Sequence, residues 1–492
     1  MPGSPCVCKL TRGRGVKNAS IGVHTAFQDS TPMIVLIGQI GRSMTDREAF
    51  QEIDYRRMFG EMAKWVAQID QVERIPEYIS RAFHVAQSGR PGPVVLALPE
   101  DMLSSMVTVA DAKKAYPVEA APTPEAMEEL RDRLSKAKKP LLIVGGPTWD
   151  KQAVEDVTAF VEANNLPVAC AFRYQDRFNN THPNYVGDIG IGINPKLAAR
   201  VKESDLLIIA GPRMGEMTTG GYSMLNIPET DQDLIHIMPG AEELGRVYNP
   251  DLGINSSLLQ FCKMARELAP VDNSAWASEA AIGNADYLER IKPTDVPGDV
   301  NMSEIVSWLS NRMPEDGVVT HGAGNYSVWI TRFFQHRTYP TQIAPTNGAM
   351  GYSVPAAIGA KITDPNRMVV SFNGDGCFMM LGQEMITAKQ FNVPVIFIVV
   401  NNGMLGTIRM HQEREFPNNV MSTELMNPDF VQLAESYGAQ GERVTRTEDF
   451  EAAFERAVNC GRSSLIELVV DEQALTPAQT LDQVRAAGSV KK

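Results

Sequence analysis

At 492 residues the chain is too long for one hydrophobic core and suits about three domains of roughly 100–200 residues each. Its 43% apolar and 21% charged residues are ordinary for a globular protein, and a net charge of −13 excludes a nucleic-acid partner, which needs a basic face, though not a small anionic substrate. No apolar run reaches the ~18 residues of a membrane span, the start MPGSPCVCKLTRGRG lacks the apolar core of a signal peptide, and the six cysteines include only one close pair, Cys6 and Cys8, so free thiols in a cytoplasmic protein are expected.

In chain order, Pro32–Gln39 and Pro93–Leu98 are continuous apolar runs closed by turn residues, which predicts strands covered on both faces. A helical pattern lies between them over Pro76–Ala86. Residues 106–124, rich in Ala, Val and Pro without periodicity, predict a linker after a first domain of residues 1–105. A central domain over 125–270 has strands at Leu141–Val144 and Leu206–Ala210, each followed by a Gly-Pro turn, and a third at Leu234–Met238. No GxGxxG follows any of them, which argues against a dinucleotide. Residues 271–297, with Pro293 and Pro297, predict a second linker. The last domain, 298–492, has strands at Gly317–Thr320, Met368–Phe372, Val395–Val400 and Leu465–Val470, a helical segment at Leu381–Phe391, and a helix opened by Asn427-Pro428-Asp429 and closed by Gly438. Strands alternating with helices make all three domains α/β, each a mainly parallel sheet with helices on both faces.

Chemistry concentrates in the last domain. Gly374-Asp375-Gly376 directly follows one strand, and the next strand ends in Asn401-Asn402. Glycines at such a turn let backbone N–H groups approach a phosphate. Asp375 and an asparagine amide supply hard oxygens at the carboxyl edge of one sheet, and with diphosphate oxygens they make an octahedral Mg²⁺ site. Each half alone reads as a turn or a strand terminator; the spacing and the strand–helix–strand setting favour the site.

This pattern resembles the motif of the thiamine-diphosphate-dependent enzymes, and the resemblance covers nearly the whole chain. It implies Asp375, Asn402 and the Met404 carbonyl as metal ligands, with Gly374, Gly376 and Cys377 at the diphosphate. Gly324-Asn325-Tyr326 resembles the second diphosphate loop. Gly348 and Met350, within GAMGYSVPAAIGA, resemble the segment that cradles the aminopyrimidine. NASIGVHTAFQDSTPMIVLIGQ, AFQEID, SGRPGPVVLALPED and NPDFVQLAESYG resemble the acetolactate synthase branch, catalytic or large subunit. Phe50 and Gln51 correspond there to residues facing the substrate. The implied activity is decarboxylation of pyruvate or a related 2-oxo acid followed by carbon–carbon bond formation, in a homodimer or homotetramer. FAD, held by the central domain in biosynthetic members, has no supporting motif here.

Some positions depart from the family. Glu100 stands where biosynthetic members carry a lysine near the anionic substrate, which reverses a local charge. His411 stands where they carry a tryptophan that favours 2-oxobutyrate. The decarboxylase branches fit poorly too, with no His-His pair and Thr11 where the benzoylformate type has histidine. Gly13-Arg14-Gly15 replaces the family's Gly-Pro-Gly loop, with Arg14 and Lys17 as bulky cations in a tight loop. The glutamate that activates the cofactor normally precedes that loop by a helix and a strand, and no glutamate occurs before Glu48. An N-terminally truncated first domain with impaired turnover is therefore expected. The alternatives are a simple 2-oxo acid decarboxylase or a non-catalytic cofactor-binding remnant.

Overall fold

The computed structural model describes residues 5–490. The chain packs as two compact units, Met1–Asn165 with Ser204–Gly215 and Leu225–Trp276, and Leu166–Glu203 with Glu216–Met224 and Ala277–Lys492. Among the described residues no helix is long and apolar enough to cross a membrane.

The first unit opens with a four-stranded parallel sheet of β1 (Cys6–Leu10), β2 (Met33–Gln39), β3 (Trp65–Gln68) and β4 (Pro93–Pro99), in the order β1-β2-β4-β3. Alternate residues explain the unbroken apolar runs. Val35, Ile37, Val95 and Ala97 pack with Val16 and Val23 of the helix Arg14–Gln28, while Ile34, Val94 and Leu96 pack with Ala82 and Ala86 of the helix Ile75–Gln87. In the central region β5 (Pro140–Val144) is followed by β6 (Val168–Cys170), β7 (Tyr185–Asp188), β8 (Leu206–Ala210), β9 (Asp233–Met238) and β10 (Leu252–Asn255). Within the first unit β10-β9-β8-β5 run parallel, and within the second β6 pairs with β7. The turns after β5 and β8 lie against each other. A Cβ on Gly146 would stand 2.0 Å from the Gly211 carbonyl oxygen, and one on Gly211 would stand 2.1 Å from that of Gly145. Glycine here serves backbone-to-backbone packing.

The last domain is a six-stranded parallel sheet of β11 (Val318–His321), β12 (Gln342–Ile343), β13 (Val369–Gly374), β14 (Ile396–Asn401), β15 (Gln440–Val444) and β16 (Ser464–Val469), in the order β12-β11-β13-β14-β16-β15. Val319, Val370, Phe372, Ile398 and Ile466 bury one face against the helices Met302–Arg312 and Phe450–Asn459. Val369, Phe397, Val399 and Leu465 bury the other against the helix Ser353–Thr363 and Phe430. β13 and β14 are direct neighbours, with Gly374 opposite Val400, so their carboxyl ends finish side by side.

Four expectations are corrected. The second linker contains a helix, Glu279–Arg290, whose Ala280, Gly283 and Tyr287 form a buried stripe at helical spacing; Tyr287 meets Tyr185 edge-on at 4.8 Å between ring centroids. The helix after Gly374 starts at Asp375, runs to Leu381, and resumes at Met385–Gln390 after a single tighter turn. Arg14 and Lys17 do not crowd a loop. They are exposed residues of the helix that begins at Arg14, whose first turn closes through the Lys17 amide donating to the Gly13 carbonyl. Finally, the helix predicted to open at Asn427 spans Phe430–Ser436, and Asp429 is its cap, accepting from the amides of Val431 and Gln432.

Candidate active site

The turns after β11, β13 and β14 converge where successive connections leave the last sheet in opposite directions, the position at which parallel α/β sheets bind ligands. A cleft of about 240 Å³ opens there. Gly324, Asn325, Tyr326, Gly348, Met350, Gly374, Asp375, Gly376, Cys377, Asn402 and Met404 all line it, together with Leu405, Thr407 and Leu475.

Each side has a distinct physical character. Asp375, at the first turn of its helix, is almost fully buried. Burial pushes its carboxyl above the ordinary range, and donors from Asn427, Gly376 and Gly403 oppose that push. A divalent cation beside this carboxylate would offset the remaining desolvation cost. Gly374 and Gly376 bring backbone close to side chains. A Cβ on Gly374 would lie 2.9 Å from the Tyr326 ring, and one on Gly376 would lie 2.9 Å from Leu405. Tyr326 Oη accepts from the Gly322 amide at 2.9 Å, which closes the β11 turn, and Thr407 Oγ1 donates to Asn325 Oδ1 at 2.9 Å. The Cys377 thiol donates to the Ala323 carbonyl at 3.0 Å, and burial raises it to about 11. Met350 is half-buried, its methyl 3.9 Å from where a Gly376 Cβ would stand. Among the described residues lining the cleft none is Lys, Arg or His.

Two residues of the last unit escape a reading of the sequence. Asn427 Nδ2 donates to Asp375 Oδ2 at 2.8 Å and to Asn401 Oδ1 at 2.9 Å. Asn401 Nδ2 in turn donates to Glu467 Oε1 at 2.7 Å, Glu467 Oε2 accepts from Arg443 Nε at 2.7 Å, and Arg443 pairs with Asp429 at 3.1 Å. Arg173, in the turn between β6 and β7, donates through Nη1 to the Gly322 carbonyl at 2.6 Å and to His321 Nδ1 at 2.8 Å, which braces the β11 turn from behind. Because arginine only donates, His321 Nδ1 accepts, and burial followed by the Arg173 charge holds this histidine well below its ordinary range. The only sequence signal for Asn427 is the proline after it, which holds it extended. Arg173 has none.

Phe50 and Gln51 belong to the other compact unit. Phe50 is 79% exposed, and Gln51 adopts a left-handed backbone with its side chain against Gly13. The charge reversal expected at Glu100 is offset locally, since Arg12 donates to Glu100 Oε2 at 2.6 Å. His411 is an exposed residue of the helix Gly406–Glu415 and does not line the cleft.

A turn rich in backbone donors beside a buried carboxylate and amide oxygens suits one class of ligand, a diphosphate ester carried with a hard divalent cation. Comparison with known proteins narrows that class. Family models of the thiamine pyrophosphate enzymes match the N-terminal TPP-binding domain at residues 1–58, the central domain at 127–264 and the C-terminal TPP-binding domain at 322–468. The acetolactate synthase isozyme 2 large subunit of Escherichia coli (strain K12) is 30% identical over 96% of this chain and 85% of its own length. The acetolactate synthase large subunit of Corynebacterium glutamicum is 30% identical over 95% and 77%, and the probable large subunit of Methanocaldococcus jannaschii is 28% identical over 99% and 84%. The chain belongs to the thiamine-diphosphate-dependent enzyme family and is acetolactate synthase-like. The N-terminal TPP-binding domain is present, matched over residues 1–58, and the expectation of a truncated first domain finds no support in these comparisons.

Proposed function

We propose that the chain is a thiamine-diphosphate- and Mg²⁺-dependent 2-oxo acid carboligase that decarboxylates pyruvate, or a close relative, and joins the remaining fragment to a second 2-oxo acid. The observation that carries this reading is the gathering of every last-domain residue expected from the motif around one cleft. In it Asp375, Asn402 and the Met404 carbonyl hold the cation. The Gly376 and Cys377 amides and the Gly324–Tyr326 turn hold the diphosphate. The Gly348 carbonyl and the Met350 side chain orient the aminopyrimidine. Phe50 and Gln51 present the first domain's surface to the substrate. The bound cofactor supplies the electron sink for decarboxylation; the protein supplies position, exclusion of water and proton transfer. The enzyme works as a homodimer or homotetramer in the cytoplasm.

No glutamate precedes Glu48, so the usual partner of the aminopyrimidine is missing from the first 47 residues. A general acid–base group contributes a factor of roughly 10²–10⁴, so residues 1–492 by themselves turn over slowly. The test is product analysis of the purified chain with pyruvate, thiamine diphosphate and Mg²⁺, beside calorimetric titration of the cofactor. Slow formation of 2-acetolactate is expected. Acetaldehyde as sole product would instead make the chain a decarboxylase. Tight cofactor binding without release of CO₂ would make it a non-catalytic remnant, and a rate matching that of the biosynthetic enzymes would overturn the claim of slow turnover.

A further inference from the structure

The two oxygens of Asp375 have unequal surroundings. Oδ2 accepts from the Gly403 amide at 3.0 Å and from Asn427 Nδ2 at 2.8 Å. Asn401 Oδ1 accepts from the same two donors, at 3.1 and 2.9 Å. One backbone N–H shared between them, and one side-chain amide giving a hydrogen to each, therefore staple a carboxylate oxygen to a carbonyl oxygen. Asn401 is further held through its Nδ2 by Glu467, and it does not line the cleft. Asp375 Oδ1 accepts from the adjacent Gly376 amide at 2.8 Å, with no side-chain donor on it among the described residues. Asn402, which does line the cleft, has a single long acceptor contact at Oδ1, 3.3 Å from the Met404 amide.

We propose that Asn427 is a positioning residue for the metal half of the site. By fastening Asp375 Oδ2 to Asn401 Oδ1, it leaves Asp375 Oδ1 and the Asn402 amide as the side-chain oxygens presented to the cation. Its own element suits the task. Pro428 holds Asn427 extended, and Asp429 caps the following helix, so the Asn427 side chain carries no capping duty. Asn427 also reaches the site from outside the two turns that carry the ligands, so it fixes their mutual rotation. This inference rests on the reading of the cleft as a thiamine-diphosphate and Mg²⁺ site.

The consequence is cation selectivity. Mg²⁺ demands near-ideal octahedral geometry at 2.0–2.1 Å, whereas Ca²⁺ tolerates irregular shells at longer distances. An Asp375 freed to rotate costs Mg²⁺ more than Ca²⁺. The experiment is calorimetric titration of Mg²⁺ and of Ca²⁺ in saturating thiamine diphosphate, for the unmodified chain, Asn427→Ala and Asn427→Ser. Asn427→Ala is expected to weaken Mg²⁺ about 10- to 100-fold, the usual cost of removing a partner that orients a metal ligand, and to weaken Ca²⁺ several-fold less. Asn427→Ser keeps one donor and should fall between, which also covers the case of an Ala variant that folds poorly. A shared loss for both cations, or an unchanged Mg²⁺ affinity, would overturn the positioning role while leaving the cofactor reading intact. Failure of the unmodified chain to bind the cofactor with Mg²⁺ would overturn both.

Discussion

Behind β5 and β8 the turns Gly145-Gly146 and Gly211-Pro212 meet backbone to backbone, and the crevice between those strand ends is filled by the turns themselves. Behind β11 and β13, in a sheet of the same parallel kind, the turns meet through side chains, as where the Cys377 thiol reaches the Ala323 carbonyl, and they border a cleft of about 240 Å³. Both sets carry glycine after an apolar strand. A glycine turn at a strand end thus marks a close approach, and only its surroundings decide whether a ligand or the protein's own chain makes that approach.

Substitutions can break or sharpen that contrast. The largest effect is expected from Asp375→Asn, which keeps the shape of the side chain and removes the charge. Calorimetry should show thiamine diphosphate with Mg²⁺ binding about 10³-fold more weakly, comparable to stripping one partner from a buried ion pair. An affinity within threefold of the unmodified chain would mean that the open crevice is no metal site. Next comes Gly146→Ala, which drives a methyl into the Gly211 carbonyl at a positive φ of 71°. Denaturant unfolding should show about 3 kcal/mol of lost stability, with cofactor affinity of the folded fraction unchanged.

The open cleft needs its walls held from outside, and Glu413 supplies a test. It sits in the helix whose start, Gly406–Ile408, lines the cleft, and it accepts from Arg485 of the C-terminal helix, the Asn418 amide and Arg409. The Arg485 guanidinium chiefly holds its carboxyl at about 2, below the ordinary 4.5. A depressed acid stabilises the fold above its unfolded pKa and loses that contribution as pH falls through its folded one. Glu413→Gln should therefore cost about 2 kcal/mol at neutral pH. The gap from the unmodified chain in a series of melting curves should shrink between pH 4.5 and about 2; a gap independent of pH would rule out the ion pair as its source. Gly374→Ala is the milder counterpart of Gly146→Ala: its φ of −73° admits a side chain, so crowding of the buried Tyr326 ring should cost about 1 kcal/mol of stability while lowering cofactor affinity about tenfold. Smallest of all, Phe50→Ala should shift stability by no more than about 0.5 kcal/mol, given its exposure. Under the proposed function its effect should fall on product formation instead.

The parallel strands were legible because sheets covered on both faces demand long apolar runs, and each such run in the sequence is a strand in the fold. The cleft at the carboxyl edge was legible because Asp375 and Asn402 sit at fixed places relative to adjacent strands. Asn427 was not, since Asn-Pro-Asp has the same letters whether its first or last residue caps a helix. Arg173 was hidden for another reason: its partner Gly322 is 149 residues away, and the bond goes to a carbonyl that any residue would offer. The helix at Glu279–Arg290 was masked by prolines just beyond its end.

The contacts from Asn427 through Asn401, Glu467 and Arg443 to Asp429 return to within two residues of their start, so they form a closed ring. In a ring each member is held from two sides, and opening it once releases much of the tension that a second cut would release again. Paired substitutions around it should therefore cost less than the sum of the single ones, a coupling that double-mutant cycles measure directly. Its outer link, Arg443 with Asp429, is solvated, so added salt should weaken that link of the ring before the buried ones.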